Sequence, residues 1–98
     1  MRAYGYIDGS TNPPTIDAAR TSVGLTNVVY FSSVYCVFPD PSIDPSKLVA
    51  LVTPANISGA IVSAAPGQCS NGGKTGVQVN YTDKNGTAIQ GDFTIAIP

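Results

Sequence analysis

Histidine, tryptophan and glutamate are absent from this 98-residue chain, and cysteine occurs only twice. Without histidine, Ser-His-Asp and Cys-His nucleophilic sites are excluded within the chain, and zinc loses its commonest nitrogen ligand. Charge is scarce as well: Asp, Glu, Lys and Arg make up 11% of the residues, under half of the roughly 25% usual for a soluble domain. Five Lys and Arg with a net charge of -1 leave no cluster of cations to displace counterions from a phosphate backbone, so nucleic acid is not an expected partner. No run approaches the ~18 apolar residues that would read as a membrane span, and membrane insertion is not expected either.

What fills the space is Ser, Thr, Asn, 8 Pro and 10 Gly beside 43% apolar residues, a composition that suits strands joined by turns better than helices. The length fits one domain over residues 1–98. Met1 directly before the strand-like Arg2–Ile7 reads as a start residue on a domain excised from a longer secreted or fibre protein, and the shortage of Lys and Glu points to a secreted or surface location.

Val34-Tyr35-Cys36-Val37-Phe38 anchors the strand reading. Side chains alternate faces along a strand, so Val34, Cys36 and Phe38 share one face while Tyr35 and Val37 share the other. Both faces are apolar, which predicts a central strand covered on both sides. Before it, residues 23–31 form another strand, joined either as a hairpin or as one bent strand bulged at Ser32-Ser33. Ala3–Asp8 is a first strand closed by Asp8-Gly9, and Thr15–Arg20 has room for one helical turn. Residues 39–45 carry three prolines and read as a loop. Lys47–Thr53 and Ile57–Ala65 are further strands stopped by Pro54 and Pro66, and 67–76 is a loop.

Val77, Val79 and Tyr81 alternate with polar residues, Asp83–Gly86 turns the chain, Thr87–Gln90 returns as the other arm, and Phe93, Ile95 and Ile97 mark the last strand. About seven strands at this spacing predict an all-β protein, an antiparallel β-sandwich of jelly-roll-like or immunoglobulin-like type.

Two cysteines in a low-charge chain read as a Cys36–Cys69 disulfide, whose loop of about 34 residues would stabilise the fold by ~3.5 kcal/mol on the chain-entropy model. Two buried thiols are the alternative. Gly72-Gly73-Lys74-Thr75 lacks the earlier glycine of a phosphate loop, because Gln68 occupies that place and a strand follows instead of a helix. Asp83-Lys84-Asn85-Gly86 has calcium-loop residue types, but its glycine comes too early and no later Glu completes the loop, and Asp40 with Asp44 falls short of a full oxygen shell. The six aspartates are scattered in sequence. No catalytic residue, metal or cofactor is therefore expected, and the chain does not read as an enzyme.

Tyrosine supplies the remaining chemistry, since its apolar ring ends in a polar hydroxyl. Tyr4 and Tyr6 form a stripe that can serve as a ligand face for a surface glycan or protein receptor, with Asn71, Asn80 or Asn85 beside it. The apolar excess of the central strands predicts a homo-oligomer, with Val29, Phe31, Tyr35 and Val37 as the candidate assembly face.

The short motifs Gly5-Tyr6-Ile7-Asp8-Gly9, Asn27-Val28, Tyr35-Cys36-Val37, Cys69 ahead of Val77-Gln78-Val79, and Asp92-Phe93 near Pro98 follow one another along the chain. In this order the sequence resembles a family of small uncharacterised β-domains of secreted actinobacterial proteins, similar to modules at the tips of phage tail fibres. It departs from that pattern at Ser33, where glycine is preferred for a tight turn. The resemblance implies a disulfide-stapled, export-compatible module for adhesion or structure, trimeric where it occurs in fibres, and brings no catalytic residue.

Overall fold

A computed structural model describes residues 2–17, 19–20, 22–44, 48–69 and 75–98. Among these there is no helix, and eight strands form the fold: β1 Ala3–Asp8, β2 Thr15–Ile16, β3 Leu25–Phe31, β4 Val34–Pro39, β5 Leu51–Pro54, β6 Ile61–Gln68, β7 Thr75–Thr82 and β8 Phe93–Ile97. They build an antiparallel β-sandwich of two four-stranded sheets, ordered β2-β1-β8-β5 and β3-β4-β7-β6. Hence β1 and β8, nearly a whole chain apart in sequence, lie side by side at the centre of the first sheet, paired from Ala3↔Ile97 to Ile7↔Phe93.

Alternation builds the core. Ala3 and Ile7 on β1, Phe93, Ile95 and Ile97 on β8, Tyr35 and Val37 on β4, and Val77, Val79 and Tyr81 on β7 all point between the sheets and are buried. Tyr35 occupies the middle, with its ring centroid 4.5 Å from Tyr30 and 5.2 Å from Phe93. Its hydroxyl donates to the Gly9 carbonyl at 2.7 Å and accepts from the Gly91 N–H at 3.1 Å. The Tyr81 hydroxyl donates to the Asp92 carbonyl at 3.0 Å. Two tyrosines of one sheet thus fix the ends of the central strands of the other. Gly9 has no room for a side chain, because a Cβ there would run into the Gly91 carbonyl and the Tyr35 hydroxyl.

The central-strand reading of Val34–Phe38 holds, since β4 lies between β3 and β7 and Tyr35, Cys36 and Val37 are all buried. The candidate assembly face built from the same stretch needs correction. β3 and β4 form a hairpin whose register pairs Phe31 with Val34, Tyr30 with Tyr35, Val29 with Cys36 and Val28 with Val37. Cross-strand partners share a face, so Val29 and Phe31 stand outward with Cys36, while Tyr35 and Val37 stand inward. Tyr35 and Val37 are 0% exposed within the single chain, and the other sheet covers them. The four residues form no common surface.

The outward side of Cys36 is covered by the disulfide to Cys69, both cysteines being buried. Ser32 and Ser33 make the hairpin turn with φ of 52° and 66°, the pair of positive values that matches a two-residue turn to the twist of its strands. The tight turn therefore forms without the glycine of the resembling pattern.

Three smaller expectations also change. Thr15-Ile16 is a short strand beside Asp8 and Ile7 instead of a helical turn. Thr87–Gln90 contributes only a bridge from Ala88 to Thr82. Pro66 lies inside β6 opposite Val77, which an edge strand tolerates when the missing N–H faces away from its neighbour. Lys47, Asn71 and most of Gly72–Thr75 lie outside the described residues.

Candidate ligand-binding face

The outward face of the β2-β1-β8-β5 sheet follows from the same alternation. With Ala3, Gly5 and Ile7 turned inward, Tyr4, Tyr6 and Asp8 stand outward on β1. Pairing then sets rows across the strands. Tyr4 is opposite Ala96, and Ala96 is opposite Leu51, while a bridge places Val23 on the other side of Tyr4. Val23, Tyr4, Ala96 and Leu51 thus make one apolar row across the sheet, with Val23 45% and Leu51 58% exposed. The next row is Tyr6, Thr94 and Thr53. Apart from Val23, the two rows floor a shallow trough of about 510 Å³.

Polar groups gather at one end. The Arg20 guanidinium lies over the Tyr6 ring, 4.3 Å from its centroid, a cation–π contact. Its Nε is 3.2 Å from Asp17 Oδ2, and the Arg20 side chain stays 63% exposed. Asp17 Oδ1 in turn accepts the Ala19 N–H at 2.9 Å, which shapes the bend that brings Arg20 back over the sheet. The Tyr6 hydroxyl donates to Asp92 Oδ2 at 3.0 Å, and Ser10 donates to Asp92 Oδ1 through its N–H at 3.1 Å and its hydroxyl at 2.7 Å. Asp92 is held by its backbone as well, donating to Asn56 Oδ1 at 2.8 Å.

These contacts set the charge states. Burial pushes the Asp92 carboxyl upward, but the hydrogen bonds from Ser10 and Tyr6 and the Arg20 charge outweigh it and hold the group below its ordinary range. Asp8 goes the other way, raised by burial, by the negative charges of Asp17 and Asp92 and by its hydrogen bond with Asp17. Burial and the bond to Asp92 raise Tyr6. Tyr6 thus presents a neutral, oriented ring, with the Arg20 guanidinium beside it at the end of the trough.

The structure brings Tyr4 and Tyr6 together on this face, as the stripe predicted. Asn85 belongs to the Asp83 turn, where Asp83 Oδ1 accepts the N–H groups of Asn85 at 2.8 Å and Thr87 at 3.0 Å. Asn80 is on β7 in the other sheet. Asp40 accepts the Ser42 N–H at 3.0 Å within its own loop. Among the described residues, no group of three or more His, Cys, Asp or Glu is placed to hold a metal ion. Arg20, Leu51, Thr53, Thr94 and Ala96 escaped the sequence reading. Alternation along β8 pointed Thr94 and Ala96 outward, but only the pairing of β8 with β1 and β5 puts them beside the tyrosines. Comparisons with family models, curated proteins and solved structures return no match for this chain.

Proposed function

We propose that this chain is a non-enzymatic interaction module of a secreted or surface protein, and that the outward face of its β2-β1-β8-β5 sheet holds a neutral saccharide. The observation that carries this reading is the apolar row Val23, Tyr4, Ala96 and Leu51 flanked by the hydroxyls of Thr53 and Thr94 and by the oriented Arg20. A pyranose offers an apolar C–H face ringed by hydroxyls that both donate and accept, the complement of such a surface.

Size favours a sugar over a macromolecule. Strands ~4.8 Å apart and rows ~7 Å apart give the two rows an area on the order of 250 Å², against ~800 Å² per partner in a stable protein interface. The trough's 510 Å³ falls instead within the roughly 300–1,000 Å³ of small-ligand sites. Charge favours a neutral sugar: Asp8, Asp17 and Asp92 surround one guanidinium, so an acidic glycan would be repelled. The Cys36–Cys69 disulfide supports an oxidising compartment.

Glycan-array screening of the purified chain against neutral oligosaccharides, followed by calorimetry, tests this. The expected result is a neutral-glycan ligand whose affinity falls at least tenfold in Tyr4→Ser or Leu51→Ser, with the melting temperature nearly unchanged. Silence of the wild-type chain across the array, or a ligand indifferent to both substitutions, would end the proposal.

A further inference from the structure

We propose that two copies of this chain associate edge to edge along β3, forming a continuous eight-stranded sheet about a two-fold axis at Val29. This rests on the opposite sheet from the saccharide face and is independent of it.

Each sheet ends in two edge strands, and three of the four are blunted. β2 has only two residues, and β5 has four and ends in Pro54. β6 carries Pro66. The pairs Tyr35↔Val79 and Val37↔Val77 join β7 to β4, so Pro66, opposite Val77, directs its nitrogen to the free side and deletes a donor there. β3 is neither short nor interrupted by proline. Leu25-Thr26-Asn27-Val28-Val29-Tyr30-Phe31 contains no proline and no charge, and β3 ends its sheet. An edge of this kind is a template for another strand.

The two-residue turn fixes which groups are free. Phe31 and Val34 flank Ser32-Ser33 and form the hydrogen-bonded pair of the hairpin. Counting back, Val29 also bonds to β4, while the backbone groups of Val28 and Tyr30 face outward from the sheet edge. An independent contact agrees: the Asn27 side chain folds over to accept the Val28 N–H, Oδ1 to N at 2.9 Å. Asn27 is a plug on an edge that otherwise has no device of its own from Asn27 to Phe31, since the bulge lies below, between Leu25 and Asn27.

Antiparallel pairing of two β3 strands about Val29 is self-complementary. Val28 of each copy meets Tyr30 of the other: the two Tyr30 N–H groups donate to the Val28 carbonyls, and the two Val28 N–H groups return the bond once Asn27 turns away from them, four bonds in all. Val29 faces its own copy, and Phe31, 46% exposed, faces Asn27. The uncharged strand puts no like charges together at the axis. Five residues at ~3.4 Å each give a contact only ~17 Å long, so the association is concentration-dependent, not permanent.

Sedimentation velocity from micromolar to millimolar chain, with hydrogen exchange at the Tyr30 amide, tests the proposal. Wild type is expected to shift toward a dimer with concentration while Tyr30 exchange slows at least tenfold. Val29→Lys places two cations at the axis and is expected to keep the chain monomeric. Asn27→Ala removes the plug and is expected to move the dimer midpoint to lower concentration, an effect that mere damage to the fold would not produce. A wild-type chain that remains monomeric at millimolar concentration, a dimer untouched by Val29→Lys, or Tyr30 exchange independent of concentration overturns it.

Discussion

Replacing Tyr35 by Phe removes one oxygen atom from the middle of the sandwich and leaves every ring contact in place. That oxygen ties Gly9 and Gly91 together from the opposite sheet, through bonds of 2.7 Å and 3.1 Å. Without it the Gly9 carbonyl and the Gly91 N–H lose their partner in a region where Tyr35 is 0% exposed. Each buried backbone group left unpaired costs about 1–3 kcal/mol, and the hydroxyl's own desolvation is recovered, so a net loss of ~2–3 kcal/mol is expected. For a domain of this size that lowers the melting temperature by about 10–20 °C.

The same residue has a pH signature. Burial, opposed in part by the Gly91 bond, pushes the Tyr35 hydroxyl up to about 12. A raised folded-state pKa means the stabilisation is complete below the unfolded value near 10 and is lost as pH rises toward 12. The two-unit interval corresponds to ~3 kcal/mol. Urea unfolding of wild type and Tyr35→Phe at pH 7, and again from pH 9 to 12, checks both parts: the variant starts lower and has a flatter alkaline decline. A loss under ~0.5 kcal/mol at pH 7, or alkaline curves of equal slope, would refute the role given to this hydroxyl.

Reducing the Cys36–Cys69 bond, or replacing both cysteines by Ser, reopens a 33-residue separation and is expected to cost ~3.5 kcal/mol, read as a drop of roughly 15–25 °C in thermal melts with and without reductant. The aspartates near Tyr6 are expected to respond with opposite signs. Asp92 is held low, so its contribution exists above its unfolded pKa and disappears as pH falls through the folded one; Asp92→Asn therefore destabilises at pH 7. Asp8 is raised, so its ionised form opposes folding, and Asp8→Asn stabilises at pH 7. Both effects are expected to be within about 1 kcal/mol at these partly exposed positions, and in denaturant titrations on the acid side both shrink as pH falls, that of Asp8 first.

The sequence by itself determined the class of fold, because period-two alternation and turn residues are local properties. The strands at 3–8, 34–38, 77–82 and 93–97 were legible from side-chain type alone, and the pairing of two cysteines followed from composition. Tyr4 and Tyr6 were visible as an outward stripe for the same reason. The tertiary structure decided which strands are neighbours, and with that the candidate site. Nothing local states that β8 returns between β1 and β5, so Thr94, Ala96, Leu51 and Thr53 could not be placed beside the tyrosines in advance. Arg20 reaches Tyr6 only because the chain bends at Asp17. The assembly face failed on a one-residue matter of register: the two-residue turn at Ser32-Ser33 puts Val29 with Cys36, and a shift by one exchanges the faces of every side chain on a strand. Alternation is encoded by neighbours in sequence, whereas register and strand order are settled by contacts across the whole chain.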